Sequence, residues 1–346
     1  MKLLVYADPH WCAYSSIVRS RGPKYSTRLE NLLNSLNWVE STAQQYGCEQ
    51  IICLGDFFDR AELNSEEITA LQDVVWADVP HIYLVGNHEI GRGNLSFSSS
   101  HLFSLCPQAT VINEAYSQNV DGTVLCYLPY SLEIDRKPLV DYFGHQEATR
   151  IIFSHNDIKG IQMGKFVSTE GIPIDEIEVC CDLFINGHLP NTSQFGKNLI
   201  NVGNLTGQNF SEDASQYRHY ALLIDTDTHK LEWLENPYAF NFYKLDFTTS
   251  TSNDWMQQVI DGLGNNAVAT IKVTQENEIF VRNLVASSSH LVEYRIIVDM
   301  LPQADSQYQV QETQGIDHLT QFVDYVRKNI GTSKEILEEL DKVVEG

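Results

Sequence analysis

The chain has 346 residues, 43% of them hydrophobic and 20% charged, which is enough for a sizeable core and predicts one large domain with a smaller one. The formal net charge of −23 argues against a surface that holds nucleic acid by itself, because phosphate contacts come chiefly from Lys and Arg. No run of about 18 apolar residues occurs, so no membrane-spanning helix and no membrane partner are expected.

The opening segment MKLLVYADPHW reads as a buried strand over 2–7 rather than a signal peptide, since no small-residue cleavage site follows. Residues 27–46 read as a helix capped by Ser26 or Thr27 and closed by Gly47, with Leu29, Leu32, Leu33, Leu36 and Val39 at helical spacing. A strand over 50–54, a helix near 65–76 and a strand over 80–85 follow. This alternation predicts an α/β sheet with helices packed on it. Further strands are expected at 123–128, 150–154, 182–186, 197–202 and 219–225. Residues 229–246 read as the last strands and the exit of a first domain, 1–246. The polar run TTSTSND (248–254) reads as a linker. A small α/β unit over 254–305 is expected next: helix 254–263, strand 267–273, helix 276–286, strand 291–299. A helical tail, 306–346, closes the chain, with two helical stretches after 315 broken at Gly331. Seven cysteines without a C-x-x-C pair, Cys180 and Cys181 adjacent among them, predict reduced thiols and a cytoplasmic protein.

Five short motifs lie just past predicted strand ends: Asp8-Pro9-His10, Gly55-Asp56-Phe57-Phe58-Asp59-Arg60, Gly86-Asn87-His88-Glu89, Ser154-His155-Asn156-Asp157 and Gly187-His188. The carboxyl ends of strands are where functional loops of α/β sheets collect. Asp, Asn and His suit Mn²⁺, Fe²⁺ or Zn²⁺. Each motif alone is weak, since Asp-x-His and Gly-Asp are common turn sequences. Five in this order are a joint signal. Arg60 has two readings, an ion pair with Asp59 or a phosphate contact. Arg19, Arg21, Lys24 and Arg28 form a modest basic group that either borders a substrate or is a solvated loop; Arg92 is a further isolated cation.

The order and content of these motifs resemble the calcineurin-like metallophosphoesterase superfamily, whose pattern is D-x-H, G-D-x-x-D, G-N-H-[DE], a lone H and G-H-x-H. The resemblance implies a β-sandwich flanked by helices and two divalent metal ions, most simply Mn²⁺. By resemblance Asp8 and His10 hold one metal, Asp56 bridges both, and Asn87, His155 and His188 hold the second. His88 faces the substrate phosphate as the catalytic residue, and Asp59 orients a ligand. This chain departs from the pattern at Pro190, where the last histidine of G-H-x-H stands. Three readings are open: Asn191 substitutes as a ligand, water leaves a weaker first site, or the site is dead. Losing one ligand of about four weakens a site rather than abolishing it, which favours an altered but working site.

The segment NVGNLTGQNFSED (201–213) resembles the Y-x-G-S-x-x-x-x-x-F-x-E stretch of SbcD-type DNA nucleases: Gly203, Phe210 and Glu212 match, and Asn201 and Asn204 replace Tyr and Ser. That resemblance implies a DNA exonuclease, with single-strand endonuclease activity, serving double-strand-break repair and recombination. It also implies a homodimer and an SbcC-type ATPase subunit as partners besides DNA, with a capping unit that touches DNA. Leu319, Phe322, Val323 and Val326 are the candidate partner contacts in the tail; packing on its own domain is the plain alternative. A basic partner fits the acidity of the chain. Two rival readings remain: a phosphomonoesterase of the protein-phosphatase type, favoured by the charge and by Glu89, and a non-catalytic scaffold for an ATPase.

Overall fold

The computed structural model describes residues 1–15, 17, 24–145, 148–163, 166–249 and 252–299. The helical tail, its apolar stripe, Arg19 and Arg21 lie outside the described residues.

Two six-stranded sheets face each other. The first runs, in spatial order, Lys230–Glu235, Tyr220–Asp225, Lys2–Tyr6, Gln50–Cys53, His81–Leu84, Ala109–Ile112. Its last four strands are parallel and its first two antiparallel. The second runs Ser193–Phe195, Leu199–Asn201, Leu183–Asn186, Arg150–Ser154, Thr123–Leu128, Tyr116–Val120, with four parallel strands between antiparallel edges. Strands buried on both faces must be apolar throughout, which is why KLLVY, QIIC and RIIFS read as continuous runs. Leu3, Val5, Ile52 and Leu84 of one sheet meet Leu125, Phe153 and Ile185 of the other. Leu4, Ile51 and Cys53 face outward onto Leu29, Leu32, Leu36 and Val39 of the helix Thr27–Tyr46. Ile152 and Phe184 pack outward against Ile177 of the helix Ile174–Cys180. The product is a helix–sheet–sheet–helix sandwich, the α/β architecture expected.

The Thr27–Tyr46 helix begins where Ser26 Oγ accepts from Leu29 N at 3.1 Å and ends at Gly47, whose φ of 64° a residue with a side chain adopts only with strain. The helix expected near 65–76 stops at Leu71. The strand expected over 197–202 is a hairpin, Ser193–Phe195 with Leu199–Asn201.

One boundary shifts. Asn241–Asp246 does not close the sandwich. It is the first strand of a separate three-stranded parallel sheet with Ala267–Thr274 and Leu291–Asp299. The alternation in NFYKLD explains it: Tyr243 and Leu245 point at the unit's own helices, Asn253–Asp261 and Glu278–Ser287, whose Met256, Ile260, Val281 and Val285 form its core. Phe242 faces the other way and packs with Phe240, Val268 and Ile17.

Candidate metal centre

All the parallel strands of the sandwich deliver their carboxyl ends to one edge, and the five motifs emerge there. Asp8, His10, Asp56 and His188 have left-handed backbones, with φ of 48°, 49°, 48° and 68°. Each such residue costs about 1–3 kcal/mol and persists only where surroundings fix it. Here a backbone ladder does so: Asp8 N donates to Gly55 O (3.2 Å), His10 N to Asp56 O (3.1 Å) and Trp11 N to Phe57 O (2.7 Å). Gly86 is required by space, since a Cβ there would lie 2.2 Å from Asp56 Oδ1. Glu89 is fully buried below; its carboxylate accepts from Gly86 N (2.8 Å) and Phe58 N (3.0 Å), clamping two motif loops together. Burial, with Asp56 nearby, pushes Glu89 up to about 7.

Two groups of donors share Asp56. In one, ring nitrogens of His10 and His88 and a carboxylate oxygen of Asp56 lie within 4.8 Å of one another; in the other, Asp56, His155 and His188 do. Asp56 Oδ1 accepts from His88 N at 2.8 Å. Oδ2 is 3.0 Å from His155 Nε2 and 4.0 Å from His10 Nε2, so one oxygen faces both groups. Asn87 Oδ1 lies 3.1 Å from His155 Nε2 and 3.0 Å from His188 Nδ1, and the two ring nitrogens are 3.3 Å apart. Four lone-pair atoms thus converge on one point, which a divalent cation satisfies better than any set of protons. His155 Nδ1, buried and without a hydrogen bond among the described residues, lies 3.5 Å from Asp8 Oδ1. Asp8 Oδ1 also accepts from His188 N at 3.2 Å, which leaves its second oxygen for an ion. The donor atoms suit divalent cations in two adjoining groups that share Asp56, one with His10 and His88 and the other with His155, His188 and Asn87; Asp8 meets the second group through His155 and the His188 backbone.

The electrostatics follow from this crowding. Burial draws His155 down, but Asp56 and Asp8 outweigh it and hold it at about 9. Burial pushes Asp56 up, yet His155, His10 and His88 outweigh it and leave Asp56 well below the usual carboxylate range. Asp8 is raised by burial, against the opposing pull of His155.

Carboxylates outside the two groups set ring orientation. His10 Nδ1 sits 3.2 Å from Asp59 Oδ1, an ion-pair contact that leaves Nε2 turned to the group and holds Asp59 below its ordinary value. His188 Nε2 sits 3.1 Å from Asp157 Oδ1, freeing Nδ1 for metal. Asp157 stands in a motif visible in the sequence, which by itself assigns it no role; its position directly after His155-Asn156 is the only signal there. His88 is the most open ring, 46% exposed against 0% for His155.

The loop after His188 explains little of the missing ligand. Asn191 is exposed, and its hydrogen bonds use its backbone oxygen, which accepts from Asn201 Nδ2 (2.8 Å) and Ser193 Oγ (3.4 Å). Its side chain bonds no ligand residue among the described residues. Arg60 pairs with Glu67 rather than Asp59; its Nη2 donates to both Glu67 oxygens (2.6 and 2.8 Å), the carboxylate being better placed on the next helix. Arg28 is buried, donating to Gly207 O (2.9 Å) and Pro9 O (3.0 Å), so it braces the Asp8 loop and does not border a substrate. Lys24 is tied to Asp73.

Residues 1–244 match the family model for calcineurin-like phosphoesterases. The chain belongs to that family. A search of curated proteins finds no match. Among solved structures, one crystal structure shares 12% identity at a TM-score of 0.42, over 68% of this chain and 98% of that one. A hypothetical protein from Thermus thermophilus shares 10% at 0.37, over 68% and 100%. As a calcineurin-like phosphoesterase the chain is a metal-dependent hydrolase of phosphoesters. Among its described residues no helix is long and apolar enough to cross a membrane.

Proposed function

We propose that this phosphoesterase is a DNA exonuclease, with single-strand endonuclease activity, working with two Mn²⁺ ions as the nuclease subunit of an SbcCD-like complex. The observation that carries the reading is the 201–213 segment, which connects the metal loops to the small α/β unit. Gln208 Nε2 donates to Asp8 O at 3.1 Å. Two residues on, Phe210 packs on Phe242 (5.4 Å between centroids) and under the Arg295 guanidinium (3.6 Å). A second unit docked beside the metal loops suits a polymeric substrate better than a small monoester. Glu89, which favoured a phosphomonoesterase by its sequence position, is a buried brace and lends that rival no support.

Bound divalent ions would supply an activated water and neutralise phosphoryl charge. The chain's own residues do the rest. Asp56, oriented by His88 N–H, stays ionised between the two groups. Asp157 and Asp59 aim the rings of His188 and His10. The open ring of His88 can carry a proton to the leaving oxygen. The net charge of −23 fits a subunit whose DNA affinity comes from a basic or ATPase partner, as a homodimer within a larger cytoplasmic complex.

A substrate panel tests this: linear double-stranded DNA and bis-p-nitrophenyl phosphate against p-nitrophenyl phosphate, each with Mn²⁺. Release of nucleotides and preference for the diester are expected. Turnover of the monoester alone would replace the nuclease reading with the phosphomonoesterase one.

A further inference from the structure

Beside the candidate metal loops lies a buried carboxylate that, among the described residues, bonds none of the proposed ligands. Glu212 is 5% exposed. Its Oε1 accepts from Gln208 N (2.8 Å), Asn209 N (3.2 Å) and Asn204 Nδ2 (3.4 Å). Two of these donors lead on to different ligand loops. Gln208 reaches back through Nε2 to Asp8 O. Asn204 N donates to Pro190 O at 3.1 Å, and the neighbouring Leu205 N donates to Ala7 O at 2.9 Å. Gly203 lets the two segments come this close: a Cβ on it would stand 2.6 Å from Thr192 N. The far side of Asn204 is held by His219, whose Nδ1 is 3.0 Å from both Asn204 oxygens.

We infer that Glu212 is a positioning residue of the metal centre, a tie that fixes the spacing between the Asp8–His10 loop and the His188–Pro190 loop. The energetics favour a tie over simple packing. A buried carboxylate is costly to desolvate, and one that collects two backbone N–H groups and a side-chain amide recovers part of that cost only while all three stay in place. Each donor lost leaves more of that cost uncompensated, so the carboxylate favours the conformation that keeps the two ligand loops at this spacing. Among the described residues its second oxygen, Oε2, is buried without a hydrogen bond and faces His219 Nε2 at 3.6 Å, so the hydrogen bonds that hold the carboxylate there all meet Oε1. Where Pro190 supplies no side-chain ligand, the geometry of the remaining ones depends more heavily on such a tie.

This rests on Asp8 and His188 being metal ligands, and it is independent of whether DNA is the substrate. The test compares Glu212→Ala, Glu212→Gln and Gln208→Ala in the full chain. The readouts are Mn²⁺ affinity by calorimetry, kcat and KM on bis-p-nitrophenyl phosphate, and melting of the metal-free protein. Gln keeps an acceptor oxygen for Gln208 N, so E212Q should remain within about threefold of wild type, whereas E212A should bind Mn²⁺ about tenfold more weakly and lose kcat with KM little changed. Q208A cuts only the bond to Asp8 O and should weaken Mn²⁺ in the same sense without lowering the metal-free melting temperature. It decides the matter if E212A does not fold. Wild-type Mn²⁺ affinity in Q208A, or an E212A variant that is merely less stable, would overturn the inference. Because Mn²⁺ affinity is read directly, a wild-type protein that binds Mn²⁺ but leaves DNA intact refutes the nuclease reading and not this one.

Discussion

Removing the Asp157 carboxylate should weaken metal binding at the site proposed for His188. Its Oδ1 stands 3.1 Å from His188 Nε2 and is the only acceptor the structure places on that nitrogen among the described residues. The carboxylate fixes the proton on Nε2, orients the ring and enriches Nδ1 in electron density. Coulomb's law sets a ceiling: a full charge pair at that distance is worth about 5 kcal/mol at an effective dielectric near 20. Asp157 is 29% exposed, so water screens much of it. Losing such an outer partner lowers metal affinity about 10–100-fold, or about 1.4–2.7 kcal/mol, and the exposure places D157A toward the lower end. D157N keeps an acceptor oxygen and drops the charge, so it should fall between D157A and wild type. Titration of metal-free protein with Mn²⁺ by calorimetry measures all three. D157A with wild-type affinity and stoichiometry would refute the reasoning.

Three further outcomes are expected. Pro190→His offers the first metal a ring nitrogen, and it should tighten the weaker of two Mn²⁺ binding steps by about an order of magnitude while leaving the stronger step unchanged; no change would mean that the loop does not reach the ion. His88→Ala should lower kcat about 10²–10⁴-fold with metal content unchanged by elemental analysis; because His88 sits within reach of His10 and Asp56, loss of one metal would make it a ligand instead. The pH response of the metal-free protein has a defined sign. His155 is raised from 6.5 to about 9, so its stabilisation is complete below 6.5 and lost as pH rises through 9; Glu89 is raised from 4.5 to about 7, so its burial destabilises as pH rises from 4.5 through 7. Both lower the metal-free melting temperature with rising pH, while Mn²⁺ affinity rises over 6.5 to 9 as the ion displaces the His155 proton. A melting temperature that climbs over that range would contradict the assignment.

The sandwich, and the gathering of the five motifs at one edge of it, are legible in the sequence because both follow from local rules. Doubly buried strands read as apolar runs, and each run ends in a Gly, Asp, Asn or His that the parallel topology carries to one edge. What escapes depends on partners distant in sequence. Nothing local to SHND says that Asp157 turns toward His188, 31 residues on. Arg28 and Arg60 look available because charge is visible in sequence and burial is not; one caps backbone carbonyls, the other is held by Glu67. Asn241–Asp246 looks like the end of the sandwich because a strand's own alternation does not name the sheet it joins. Nothing local to the 201–213 segment says that the Asn201 side chain holds Leu189 O (2.7 Å) and Asn191 O (2.8 Å), or that the Glu212 carboxylate turns inward to accept from Gln208 N (2.8 Å).

The most direct test of a two-metal nuclease pairs two quantities on purified protein: Mn²⁺ bound per chain, and cleavage of end-labelled double-stranded DNA with added Mn²⁺. Two ions and release of nucleotides from an end are expected. One ion or none, with DNA intact at high Mn²⁺, would mean that proline at 190 has broken the first site and that the chain acts as a scaffold rather than a nuclease.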